Sequence, residues 1–382
     1  MYIVVAIIAF GLMIAIHEFG HYIAAKALNV KVNEFAIGMG PKLFSIQGKE
    51  TLYSLRLLPI GGFCSMEGED GNNSSRSEDD EKDAAEIMVE GIYENTGYSD
   101  NRSRSFANQK RWRRIVILAA GGIANLIAAF FIVLILSAQA PAFVGTTLTD
   151  LVDGFPNEGP DGLMVGDRIV SLNGERMFYR EDFVFFMQFA GGENVNLIIE
   201  RDGRRIHLND FPLYMREFVV DGQVQYRLGL TFNLIEPSLA ERVRHSLITT
   251  MNYIRIVRVS LSHLISGAVG MGDVTGVVGI VHMMGEIGDA APNPGIALSA
   301  IANFTALIMV NLAIINLLPI PALDGGRILF ILMTAGIEKL TRRQLNPKYE
   351  TYINSGALVL LIAFMVFIIF NDISNLIGSS NG

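Results

Sequence analysis

Apolar residues run almost unbroken from residue 1 to 16 and resume at Tyr22-Ile23-Ala24-Ala25, long enough for one membrane-spanning helix. Three more such stretches, at about 115–138, 296–318 and 352–370, predict four spans in all. Between the first two, the alternation in Thr51-Leu52-Tyr53-Ser54-Leu55-Arg56-Leu57, flanked by Gly38, Gly40, Pro41, Pro59, Gly61 and Gly62, predicts short strands in a membrane-associated β-loop. A mixed pattern of strands, a short helix at 181–190 and a hairpin turn at Asp202-Gly203 predicts a small α/β domain from residue 141. Residues 238–264 carry apolar positions at helical spacing but are interrupted by Arg242, Arg244, Arg255 and Arg258, which suits a helix lying on the membrane surface. The Gly-rich stretch 267–288 reads as a loop or re-entrant segment.

Composition supports a polytopic α-helical membrane protein. Of 382 residues, 51% are hydrophobic and only 18% charged, too apolar for an ordinary soluble protein. The net charge of −8 is concentrated between residues 67 and 100, an acidic segment rich in Ser, Asn and Gly that reads as a solvated cytoplasmic loop. Nothing resembles a basic nucleic-acid-binding face. Cys64 is the single cysteine, which excludes disulfide scaffolds and cysteine-based zinc sites and is best read as a packing residue.

Basic residues orient the spans. Lys26 and Lys31 follow the first, Lys110-Arg111-Trp112-Arg113-Arg114 precede the second, and Arg327, Lys339, Arg342, Arg343 and Lys348 lie between the third and fourth. The positive-inside rule then puts these sites in the cytoplasm and both termini and the α/β domain outside. The first apolar run lacks a preceding basic region and a small-residue cleavage site, so it is expected to be retained. The expected units are 1–66 (first span and β-loop), 67–110 (acidic loop), 111–140 (second span), 141–213 (α/β domain), 214–295 (hairpin, amphipathic helix and Gly-rich loop) and 296–382 (third and fourth spans).

Candidate chemistry lies inside the first span, where His17-Glu18-Phe19-Gly20-His21 puts two imidazoles and a carboxylate among lipid-compatible residues. Such groups are costly in a membrane helix and are functional candidates by default. One helical turn separates His17 from His21, a spacing suited to two ligands of one zinc ion with Glu18 beside it as general base. In Asn316-Leu317-Leu318-Pro319-Ile320-Pro321-Ala322-Leu323-Asp324-Gly325-Gly326 the two prolines break the third span at membrane depth and bring Asp324 to the level of the histidines. His17, His21 and Asp324 give the three protein ligands that catalytic zinc usually takes, leaving a fourth position for water.

With both motifs in one chain, the sequence resembles the site-2 protease family of intramembrane zinc metalloproteases, in its bacterial RseP-type branch. Gly61-Gly62-Phe63 and Met66-Glu67-Gly68-Glu69 are similar to the family's loop after the first span, and Gly154 to Gly174 resembles one extracytoplasmic PDZ domain. Where family members commonly have Gly-Pro before Asn125, this chain has Gly121-Gly122. The resemblance implies Zn2+ held by His17, His21 and Asp324, with Glu18 as base. It also implies substrate handling by Asn316 and Asn311, with Pro319 and Pro321 in the broken helix. Substrates would be single-pass transmembrane proteins, such as anti-sigma factors or signal-peptide remnants, cleaved in a lipid setting near the cytoplasmic face. The alternative is a catalytically silent membrane scaffold that holds partners through the PDZ domain.

Overall fold

The computed structural model describes residues 2–69, 102–267 apart from 156, 190–193, 214 and 221–222, then 275–342, and scattered positions between 353 and 372. Nearly all of the acidic loop, including the short helix expected near 84–93, lies outside the described residues. The chain forms two compact units, 1–133 with 253–382, and 134–252.

In the first unit, helix α1 (Tyr2–Ala27) leads into strands β1 (Val32–Gln47) and β2 (Leu52–Met66), and a one-turn helix at Arg102–Arg104 precedes α2 (Arg111–Gln139), which crosses into the second unit. Val32 pairs with Met66 and Ala36 with Phe63, while Ala36 also lies opposite Ser54. The first half of β1 is therefore flanked on both sides, and among the described residues no further strand pairs with 62–66, which forms an edge of this sheet. This is the β-loop expected from the alternation at 51–57.

Helices α1, α2 and α6 (Pro294–Leu317) are each long and apolar enough to cross a membrane. They match the first three predicted spans, and Met13, Ala129, Val133, Ala306, Met309 and Val310 form a buried cluster between them. The residues described in the fourth predicted span are all helical. Among the described residues three helices, not four, meet the length and hydropathy of a span.

The Gly-rich stretch departs from expectation. Residues 268–274 are outside the described set, but Val277–Asp289 is a helix, α5, rather than a loop. Ile280, Val281, Met284 and Ile287 recur at helical spacing and pack around Ala6 and Ile301. A side chain at Gly288 would meet the Tyr2 ring at 2.4 Å, so the glycines let α1 approach. Tertiary packing outweighs the poor intrinsic helix propensity of glycine here. The buried Asp372 carboxylate accepts from the Gly276 and Gly279 amides at 3.1 and 2.9 Å, satisfying donors that the start of α5 leaves free. The basic region after the third span is also helical, as α7 (Asp324–Thr341).

The second unit holds an antiparallel sheet in the order β10 (Leu230–Ile235), β3 (Phe143–Leu151), β4 (Arg168–Leu172), β6 (Asn194–Arg201), β7 (Arg204–Pro212), with β5 (Glu175–Arg176) against β4. Helix α3 (Arg180–Gln188) buries Phe183 and Phe186, and Ile169, Leu172, Val195, Leu197 and Ile199 are withdrawn from water. Strands β8 (Arg216–Val220) and β9 (Gln223–Arg227) pair as the expected second hairpin, whose turn lies outside the described residues. The Arg201 guanidinium grips Asp167 through two bonds of 2.7 Å and donates to the Pro160 and Gly162 carbonyls, fixing the loop before β4. Helix α4 (Leu239–Ile265) is the expected amphipathic helix and begins in this unit.

Candidate metal centre

Helix α1 puts His17 and His21 one turn apart, and both are buried. The His21 Nδ1 donates to the Ile117 carbonyl on α2 at 2.8 Å. A carbonyl can only accept, so Nδ1 carries the hydrogen and Nε2 presents a lone pair. The Nε2 atoms of the two rings are 3.2 Å apart, and Asp324 Oδ2 lies 3.2 Å from His17 Nε2 and 3.3 Å from His21 Nε2. Three electron-rich donors thus converge from two distant segments.

Their spacing matches a cation between them. With bonds of about 2.0–2.1 Å, tetrahedral zinc holds its donors roughly 3.3–3.4 Å apart. Two imidazoles and a carboxylate are also a usual donor set for zinc.

A cavity of about 460 Å3 opens beside these donors, lined by His17, Glu18, His21, Asp324, Glu69 and the end of β2. Glu18 shares the helix with the histidines but faces the β2 side, where a Cβ at Gly62 would come within 3.6 Å of its Cγ. The edge at 62–66 therefore borders the cavity that holds the carboxylate and the donor atoms.

Comparison with known proteins assigns the chain. The pattern defining peptidase family M50 matches residues 5–364. The chain belongs to peptidase family M50. A protein of Clostridium acetobutylicum whose name assigns it as a zinc metalloprotease is 33% identical over 97% of both chains. A similarly named protein of Clostridium perfringens is 32% identical over 98% of both, and the regulator of sigma-W protease RasP of Bacillus subtilis is 28% identical over 98% of both. The resemblance to site-2 proteases is borne out, and the chain is a membrane metalloprotease with zinc as its metal.

In this M50 peptidase the remaining predicted residues fall at different distances from the cavity. The Asn316 side-chain amide comes within 3.4 Å of His17 Nε2. Asn311 lies further back on α6 and does not line the cavity. Pro319 and Pro321 are exposed in the break between α6 and α7.

Two glycines shape the site by close packing that the peptidase's sequence did not reveal. A Cβ at Gly121 would sit 2.4 Å from His21 Nε2 and 2.8 Å from His17 Cε1, so only glycine lets α2 pass across the donors. A small residue in an apolar span was the available signal. Gly325 is the second: its Cβ would meet the Leu317 and Leu318 carbonyls at 2.3 and 2.2 Å, so glycine lets the start of α7 fold back on the end of α6. Cys64 is buried beside the cavity, and burial raises its thiol pKa, which suits packing and not nucleophilic attack.

Proposed function

We propose that this peptidase is a zinc-dependent intramembrane endopeptidase that cleaves single-pass membrane proteins within or near their spans. The observation that carries the reading is the convergence of His17 Nε2, His21 Nε2 and Asp324 Oδ2 beside Glu18 in one cavity. His17, His21 and Asp324 hold the metal, and Glu18 is the general base. When bound, zinc supplies a Lewis acid that polarises the scissile carbonyl and acidifies a water. Glu18 takes the proton of the attacking water and returns it to the leaving amine, so its carboxylate is restored each turnover.

A transmembrane helix hides its amides in backbone hydrogen bonds, so the substrate must be unwound and held as a strand. The edge at 62–65, which borders the cavity, offers backbone groups for such a strand. Asn316, close to His17, supplies a side-chain amide for an exposed substrate carbonyl. Asn311, Pro319 and Pro321 extend this surface along the broken helix. The second unit, read as a PDZ domain outside the membrane, selects or docks substrates whose outer part has been trimmed. The name of the Bacillus subtilis relative ties that protein to regulation through sigma-W. Anti-sigma factors and signal-peptide remnants are accordingly the substrate classes we assign, with the site near the cytoplasmic face and both termini outside.

Reconstitution with a model single-pass substrate tests the reading. Wild type should cleave, while chelator or Glu18→Gln should abolish cleavage. Cleavage that persists under both would exclude this chemistry. A wild type that neither cleaves nor holds zinc would leave the silent scaffold as the better account.

A further inference from the structure

Glu69 lines the zinc cavity but has no part in the chemistry proposed above. Its two oxygens are both engaged: Oε1 accepts from Arg327 Nη1 at 2.5 Å, and Oε2 accepts from the Met66 amide at 3.2 Å. One bond reaches α7, and the other reaches the last residue of β2. Arg327 stands three residues after Asp324, on the same face of the first turn of α7. The two side chains are only 21% and 18% exposed, so the pair is better shielded than an ordinary surface ion pair.

Beyond the packing of Ile328 against the buried cluster around Phe106, the start of α7 has no cap of its own. Its N-cap residue, Leu323, makes no side-chain cap, and the preceding Ala322 holds a left-handed φ of 73°. A non-glycine residue in that region stores about 1 kcal/mol or more of strain and persists only when its surroundings impose it. Gly325 sets how near α7 lies to α6, but close packing of a glycine does not aim a side chain one position earlier. Arg327 also rests over the Phe106 ring at 5.5 Å, and Phe106 is fully buried with its amide bonded to the Glu67 carbonyl at 2.7 Å. The guanidinium is therefore held on a firm platform from the β2 side.

We infer that Glu69 and Arg327 form a clasp that joins the end of β2 to the first turn of α7 and so aims Asp324 at the metal. Both are positioning residues, and the inference rests on Asp324 being a zinc ligand. The clasp also keeps a second carboxylate in the cavity neutralised and away from the metal. Outer partners of metal ligands typically change affinity by about 10–100-fold when removed.

The test uses the full chain in detergent, with zinc affinity read by competition against a chromophoric chelator and cleavage measured on a model transmembrane substrate. Glu69→Gln and Arg327→Gln should each weaken zinc binding about tenfold and lower kcat with KM unchanged. The double variant should be no worse than the poorer single, and the reversal Glu69→Arg with Arg327→Glu should recover most of the loss. Arg111→Gln breaks a different ion pair on the same helix, with Glu338, and should leave zinc affinity unmoved. Single variants with wild-type zinc affinity, in a protein that binds zinc and cleaves, overturn the clasp alone. Strictly additive losses, or an equal loss in Arg111→Gln, also overturn it, since they mark general loosening of α7. A wild type that holds no zinc overturns the clasp and the proposed function together.

Discussion

Asp324 Oδ2 lies 3.2 Å from His17 Nε2, although the two residues come from opposite ends of the chain and from different helices. With His21 they form the one group of three metal-ligand side chains within mutual reach among the described residues. Replacing any of the three with alanine should therefore remove stoichiometric zinc, while Glu18→Gln should retain it. Metal analysis of the purified variants checks this division between ligands and base. Zinc retained at full stoichiometry by Asp324→Ala would remove Asp324 from the ligand set.

Glycine at 121 is required by space. Gly121→Ala would bring a methyl group to 2.4 Å from His21 Nε2, so zinc affinity should drop on the order of 10–100-fold and cleavage with it. Gly336 on α7 is the control, because a Cβ there meets nothing within 4 Å. Gly336→Ala should raise stability by about 0.5–1 kcal/mol and leave zinc binding unchanged. Parallel thermal unfolding and chelator competition would separate the two outcomes.

In the second unit, Asp182 is buried and accepts from the Phe178 and Tyr179 amides at 2.8 and 3.1 Å and from the Asn252 side chain. It ties the start of α3 to α4. Asp182→Ala leaves these donors without their acceptor, and should destabilise the unit by roughly 2–4 kcal/mol. Hydrogen exchange should then rise across the sheet from 143 to 235, with zinc content unaffected.

His245 gives the second unit a pH dependence. Its ring stacks on Phe143 at 4.1 Å and meets the Ser137 hydroxyl at 2.9 Å. Burial lowers its pKa from the ordinary 6.5 to about 4, against the opposing pull of Glu241. Between those values the unfolded chain binds the extra proton, so stability is complete above pH 6.5 and declines as pH falls toward 4. Because the ring is partly exposed, the effect should be on the order of 1–2 kcal/mol. Unfolding measured from pH 7.5 to 4.5 should show this slope in wild type and a shallower one in His245→Phe.

Much of this protein could be read from local pattern. The first three spans follow from the length of apolar runs, and the amphipathic character of α4 from its periodic spacing. The pairing of His17 with His21 follows from a helical turn, which the sequence specifies by itself. The prolines after Asn316 announced a broken helix, and Asp324 could be matched to the histidines because topology put both at one depth.

What the sequence did not determine depends on partners that approach from elsewhere. Val277–Asp289 contains three glycines and looked like a loop, but packing against α1 and α6 makes it a helix. Gly121 looked like a departure from the family's Gly-Pro pattern, and only the path of α2 across His17 and His21 reveals why a side chain is excluded. Glu69 read as part of an acidic stretch until folding joined it to Arg327. Helical spacing and hydrophobic run length are properties of a single segment, so the sequence carries them openly. Contacts between β2, α2 and α7 depend on how separately formed segments pack, and only the tertiary structure decides them.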